Sequence, residues 1–263
     1  MSRLITLTTD FGNGSLYVGA MKGSLLSVNP NSRLHDLTHQ IPPQDLKYTA
    51  YFLKGAISYF PPKTLHVVVV DPGVGSKRTI LYVEVGDQCL LVPDNGCWTS
   101  LISPLESPTR VIQLTNQDYW RKEVSYTFHG RDIFAPVAGH LSLSVEPDNL
   151  GQVVTEWVEL DLPMATITDS ELRGEVVFVD EFGNLLTNIP AEQYLAWANQ
   201  NVEIKIGTFH VKKRVRTYSE ASVGEVVALV SSLNTFEVSV NQGSAAKRLG
   251  LSTGSSVVIR ILQ

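Results

Sequence analysis

Residues 67–70 are four consecutive valines that end directly on Asp71, within TLHVVVVDPGVGSKR. A strand with one wet face alternates apolar and polar residues, so a run this apolar needs cover on both faces. That calls for an interior strand of a sheet with helices packed over it. The neighbouring segments supply them. Residues 17–29 place Val18, Met21, Leu25 and Val28 at helical spacing. Residues 45–60 read as a helix that Asp45 caps and that Pro61 and Pro62 stop. Residues 4–9 and 33–38 read as further short strands, 79–85 and 89–94 as a hairpin around Gly86 and Asp87, and 134–145 as a third helix. This alternation predicts an α/β N-terminal domain with a central, mostly parallel sheet covered by helices.

From about Ala165 the pattern changes. GEVVFVD, NVEIKIG, HVKKRV, EVVALV, TFEVSV and SVVIRIL are short β-rich runs between turns, and VEIKI and FEVSV alternate with period two. They predict a smaller, all-β C-terminal barrel domain. The reading divides the chain into an α/β domain over 1–160, a linker over 161–172 and a barrel over 173–263. With 43% hydrophobic and 18% charged residues, both domains have material for a core. The net charge of −5 lacks the basic excess of a nucleic-acid binder. The one basic cluster, VKKRVR at 211–216, alternates bases with valines and reads as the wet face of a strand. Cys89 and Cys97 are too few for a disulfide framework or a zinc set. No stretch has a signal-peptide layout, and no apolar run nears the ~20 residues of a membrane span. The expectation is a cytoplasmic protein that binds neither membrane nor nucleic acid.

Ligands of open α/β sheets sit outside the carboxyl ends of strands. Asp10, Asp71 and the PDNG segment at 93–96 each follow a strand, so three acids that would singly read as turn residues become a candidate site. DPGVGSKR is glycine-rich but lacks the Gly-Lys-Ser/Thr ending of a phosphate loop. Gly73 and Gly75 instead let the backbone close on a ligand. FHGRDIF at 128–134 sets His129, Arg131 and Asp132 between aromatic residues. It admits a structural His–Asp or Arg–Asp pair, or a metal site with Asp71 and Asp94, although no HExxH-like spacing supports the metal. In DEFGNLLTNI at 180–189, Asp180, Phe182 and Asn184 alternate and would share one face of an extended chain, a way to grip an organic cation or a sugar. A Gly-Asn hairpin turn is the plainer alternative there.

In order along the chain, TTDFG, YVGAMKG, VVVDPGVGS, PDNG, FHGRDIFAP, DEFGNLLTNI and VNQGSAAKRLG resemble the motifs of the S-adenosyl-L-methionine (SAM) hydroxide adenosyltransferases. These are the SAM hydrolases, relatives of the SAM-dependent fluorinase and chlorinase. The resemblance runs from Thr6 to about Gly250. It implies an α/β domain followed by a β-barrel, and a homotrimer with active sites between subunits. It implies the reaction of SAM with water to give adenosine and L-methionine, with SAM as substrate and neither metal nor other cofactor. It further implies that Asp71, Arg78 and His129 form the triad that positions and activates the water.

Halogenases of this kind carry a tyrosine at the Asp71 position and lack the histidine found at His129, and the fluorinase has a halide-holding threonine at the Val74 position. The resemblance therefore implies hydrolysis; a SAM-dependent halogenase, a metal-dependent phosphohydrolase and a non-catalytic adenosine- or SAM-binding protein are the alternatives. The implied substrate contacts are Asp10 for the ribose hydroxyls, Val74 and Phe128 beside the reacting end, and Asp180 and Asn184, with Phe182 alongside, for the methionine part. Ser232 is implied for the methionine carboxylate, and the backbone at Asn241 and Gln242 for adenine. Two positions depart from the pattern. Ser15 stands where relatives commonly have an acid near the methionine ammonium. Residues 231–234 read Ser-Ser-Leu-Asn where relatives commonly read Asn-Ser-x-Gly.

Overall fold

In the computed structural model, which describes residues 3–102 and 107–262, the valine run lies in the buried interior it demands. The chain divides into two compact units, Met1–Leu160 and Asp161–Gln263. In the first, β3 (Leu65–Val69) is buried at every position. It runs parallel to β1 (Leu4–Thr9) on one side and β5 (Gln88–Pro93) on the other, and β2 (Arg33–Thr38) adds to β1 in parallel. Beyond β5 the sheet turns antiparallel through β4 (Ile80–Val85), β6 (Pro108–Leu114) and β7 (Gly151–Val153), giving the order β2-β1-β3-β5-β4-β6-β7. The sheet is therefore mixed rather than mostly parallel. The cause is the tight Gly86-Asp87 turn, with Gly86 at φ 55. A two-residue connection joins only antiparallel strands, and the strands outside it continue the pattern.

The two faces of β3 feed different cores. Leu65, Val67 and Val69 pack in one cluster with Met21 and Leu25 of α1 (Leu16–Val28) and Val137 and Leu141 of α3 (Ala135–Ser142). Val68 packs in another with Leu53 of α2 (Leu46–Ala56), Val92 and Trp98. Each fully buried valine contributes about 1.5–3 kcal/mol. α1 and α3 approach closely because residue 139 is glycine: a Cβ there would stand 2.8 Å from the Val28 Cβ. A side-chain cap fixes each of these helix starts, the one at Asp45 as the sequence suggests. Asp45 accepts from the Tyr48 N–H at 2.8 Å, and Ser15 accepts from the Tyr17 N–H at 3.2 Å.

The second unit contains β8 (Thr166–Ile167), β9 (Glu171–Val179), β10 (Leu185–Pro190), β11 (Val202–Ile206), β12 (Phe209–His210), β13 (Lys213–Arg214), β14 (Val226–Val230), β15 (Thr235–Val240) and β16 (Ser256–Ile261). Two short helices, α4 (Ala191–Ala196) and α5 (Ala245–Leu249), join them. The strand path is β12-β11-β16-β9-β10-β15-β14-β13, with β8 on β9. Leu172, Leu185, Ile204, Phe236 and Val257, from five different strands, meet in one core, so the sheet curls around it. It is not a closed barrel, since the path ends at β12 and β13. Only Val211 and Lys212 separate those end strands, a span of about 10 Å at full extension. VKKRVR is thus not one strand but the crossing between the two edges, although Val211 is buried and Lys212 and Arg214 are exposed, as their alternation suggests. Among the described residues no helix is long and apolar enough to cross a membrane.

Candidate active site

β1 and β3 pair Thr9 with Val69, so Asp10 and Asp71 leave the sheet side by side at its carboxyl end. The loop that follows β3 braces itself. The Val74 N–H donates to the Asp71 carbonyl, Ser76 Oγ donates to the Gly73 carbonyl, and the Arg78 N–H donates to Ser76 Oγ. This folding returns Arg78 onto Asp71. Arg78 Nε donates to both carboxylate oxygens at 3.0 and 2.9 Å, and its Nη2 makes a further short contact with Asp71 Oδ2. The two side chains are 5% and 11% exposed. Nη2 also lies 2.8 Å from His129 Nδ1. A guanidinium only donates. His129 Nδ1 is therefore the acceptor, and the ring is neutral with its proton on Nε2. Burial, and then the Arg78 charge, hold the His129 pKa below its usual value, with the same consequence.

His129 sits immediately before a π-helical turn, Gly130–Phe134, that runs into α3; such turns often carry functional side chains. Gly75 brings the two halves of the site together. It has φ +77, and a Cβ there would lie 2.1 Å from the Tyr126 carbonyl oxygen, three residues before His129. Behind His129, Phe128 packs edge-on against Phe11 and Tyr17, with centroids 5.8 and 5.2 Å away. Phe11 and Tyr17 join the site beyond the residues the motifs imply. Their signal is their place inside TTDFG and YVGAMKG, which flank Asp10 and Ser15. Asp10 Oδ2 accepts from the Gln44 N–H at 2.9 Å, and Val74 is partly exposed on its loop.

The other acids near the site hold structure. Asp94 accepts from Thr79 Oγ1 and from the Val158 N–H. Asp132, fully buried, accepts from Arg131 and the Ser125 N–H. Burial works to raise its pKa, but those donors outweigh burial and hold it below the usual range. Asp132 thus forms the structural Arg–Asp pair that FHGRDIF admits. Among the described residues, no group of three or more His, Cys, Asp or Glu side chains is set to hold a metal.

In the second unit, DEFGN is a turn and not an extended face. Gly183, at φ +82, reverses the chain. Asp180 Oδ1 accepts from the Phe182 and Asn184 N–H groups, and Oδ2 accepts from Asn184 Nδ2 at 2.8 Å. Phe182 projects from the tip and is 79% exposed. In the Ser231–Asn234 turn, Asn234 adopts the left-handed φ 57, and Ser231 Oγ accepts from the Leu233 and Thr235 N–H groups. Ser232 is exposed at its crest. Asn241 Nδ2 donates to the Ala221 carbonyl at 2.7 Å, and Gln242 carries φ 53 in the turn closed by Gly243. Ser15 is occupied as the α1 cap.

Residues 5–151 match the SAM hydroxide adenosyltransferase N-terminal domain, and residues 174–258 match the C-terminal domain of the same family. The chain is 36% identical to a (R)-S-adenosyl-L-methionine hydrolase of Salinispora tropica over 95% of each protein. It is 37% identical to one from Thermus thermophilus, over 97% of this chain and 98% of the relative. A fluorinase of Actinopolyspora mzabensis is more distant, at 22% identity over 97% and 96%. Among solved structures, an uncharacterized conserved protein from Thermotoga maritima superposes with TM-score 0.91 at 31% identity, covering 97% of this chain and 99% of that one.

Proposed function

The chain belongs to the SAM hydroxide adenosyltransferase family, and on that premise we propose that it hydrolyses SAM to adenosine and L-methionine. The observation that carries the mechanism is the hydrogen-bonded set Asp71, Arg78 and His129 at the carboxyl ends of β1 and β3. The sulfonium of SAM leaves as a neutral thioether, so the demanding partner is the nucleophile: water, with a pKa of about 15.7, attacks poorly when left alone. As its oxygen bonds to the 5′ carbon, the carbon–sulfur pair withdraws onto sulfur and the water protons become strongly acidic. A carboxylate is base enough to take one at that moment.

Of the triad, Asp71 is the acceptor. His129 Nδ1 is engaged by Arg78, and its Nε2 carries a proton, so the imidazole orients the water by donating. Arg78 fixes both partners and opposes the charge that develops. In-line alignment to the 5′ carbon adds several kcal/mol of its own. A carboxylate at the nucleophile position repels halide, which sets this site apart from the halogenases.

The same proposal assigns the remaining contacts. Asp10 holds the ribose diol; Val74 and Phe128 line the reacting end. Asp180, Asn184 and Phe182 meet the methionine part, Ser232 its carboxylate, and the backbone at Asn241 and Gln242 the adenine; Ser15 serves as cap rather than charge. In this reading the N-terminal unit carries the triad, and the protein works without metal or cofactor as a cytoplasmic homotrimer with interfacial sites. Incubation with SAM in oxygen-18 water, followed by chromatography and mass spectrometry, tests the chemistry. Label is expected in the adenosine 5′ hydroxyl. Adenosine no higher than in a heat-killed control, or chloride-dependent formation of a 5′-chloro nucleoside, overturns the proposal.

A further inference from the structure

The Asp180–Asn184 turn stands next to a buried carboxylate that no motif reading assigns. Glu237, in the middle of β15, is 3% exposed. Its Oε1 accepts from Tyr218 Oη at 2.7 Å and from Ser239 Oγ at 2.5 Å. Among the described residues no lysine, arginine or histidine pairs with it. The register explains its place. Leu186 of β10 pairs with both Glu237 and Phe178, and Leu185 pairs with both Val238 and Val179. Continuing one step sets Asn184 against Ser239 and beside Asp180. Glu237, Ser239, Asn184 and Asp180 therefore share the face of the sheet opposite the core that holds Leu185 and Val238. The 215–221 segment covers that face, with Val215 and Ala221 packed on Val227 and Leu229, and brings Tyr218 onto Glu237.

Burying a carboxylate without a cation is costly. Two hydroxyl donors offset part of that cost, but they leave the negative charge uncompensated. Asp180, whose charge acts on Glu237, has its oxygens engaged by its own turn. A charge kept buried and unpaired within the chain suits a ligand that supplies the cation, and SAM carries two, a sulfonium and an ammonium.

We infer that Glu237 is a positioning residue that, acting from beneath the Asp180–Asn184 turn, favours cationic SAM over neutral nucleosides. This rests on the hydrolase reading. The charged or titratable groups facing Glu237 are Tyr218 from the covering segment and Asp180 from the end of β9; β10 and β14 present Leu186 and Leu229. Burial, reinforced by the Asp180 charge, raises the Glu237 pKa.

The test is the steady-state kinetics of Glu237→Gln, which keeps the shape and an acceptor oxygen for both hydroxyls. The KM for SAM should rise roughly three- to tenfold, the scale of one unit charge acting through an effective dielectric of about 20 or more. The kcat and the inhibition constant of neutral adenosine should stay unchanged. In the wild type the KM should climb as pH falls through the Glu237 titration, and in the variant that climb should vanish. Tyr218→Phe, which removes a hydrogen bond but leaves the charge, should retain the preference for SAM over adenosine. Turnover with an unchanged KM in Glu237→Gln, or SAM and adenosine weakened equally, overturns this inference alone. A wild-type protein that neither binds nor cleaves SAM overturns it together with the hydrolase reading.

Discussion

Replacing Arg78 by lysine perturbs the site at its joint. Arg78 commits Nε to both oxygens of Asp71, at 3.0 and 2.9 Å, and Nη2 to both Asp71 Oδ2 and His129 Nδ1, the latter at 2.8 Å. Lysine keeps the charge on a single atom and cannot serve Asp71 and His129 in the same geometry. At least one hydrogen bond to a charged group is lost, worth about 1.5–3 kcal/mol. With the pair only 5–11% exposed, water replaces little of it. Urea unfolding should report a loss in that range. The same loss of transition-state stabilisation corresponds to a roughly 10- to 150-fold fall in kcat. On the proposed mechanism KM should move little, because Arg78 acts through Asp71 and His129. Adenosine release measured by chromatography separates the two constants. The acid limb gives a second check. Because the folded His129 pKa lies below the usual value, the wild-type rate should hold as pH falls through about 6.5 and drop only below it. There a proton on Nδ1 would oppose the Arg78 N–H. A folded lysine variant with wild-type kcat, or with its whole defect in KM, refutes the assigned role.

Gly75→Ala should cost more than the about 1–2 kcal/mol of a left-handed alanine, because its Cβ meets the Tyr126 carbonyl at 2.1 Å. Gly12→Ala, at φ +83 with nothing within 4 Å, should cost only that backbone amount; equal losses in urea would remove the argument for a close approach. His66 is fully buried between Thr6 Oγ1 and Gln88 Oε1, and burial pushes its pKa down to about 4. The unfolded chain therefore takes up this proton below about pH 6.5 while the folded chain does not, so stability falls by roughly 3 kcal/mol between pH 6.5 and 4. His66→Gln should flatten that slope in denaturation curves measured at several pH values.

Much of this was legible because local signals agreed with tertiary ones. The valine run announced its burial, Asp45 caps the helix it was expected to cap, and Gly86-Asp87 made its hairpin. The wider sheet was less legible, since strand order depends on pairings between residues far apart, which periodicity does not encode. For the same reason VKKRVR read as one strand when its two ends pair with different neighbours. DEFGN left an extended face and a Gly-Asn turn both open, and Gly183 at φ +82 decides for the turn. Glu237 was invisible for a subtler cause. In TFEVSV it falls on the polar positions, which read as wet, and only the return of residues 215–221 over that face buries it. Asp71, Arg78 and His129 were found through their motifs; that Arg78 touches both others is a property of the folded loop.

The seam between β12 and β13 leaves the curled sheet two unpaired borders. A long, flat, apolar border invites a foreign strand to dock. Here each border strand is only two residues long, and the crossing between them exposes Lys212 and Arg214. An incoming chain finds only a short ladder there, flanked by two exposed cations that dislike being buried against it.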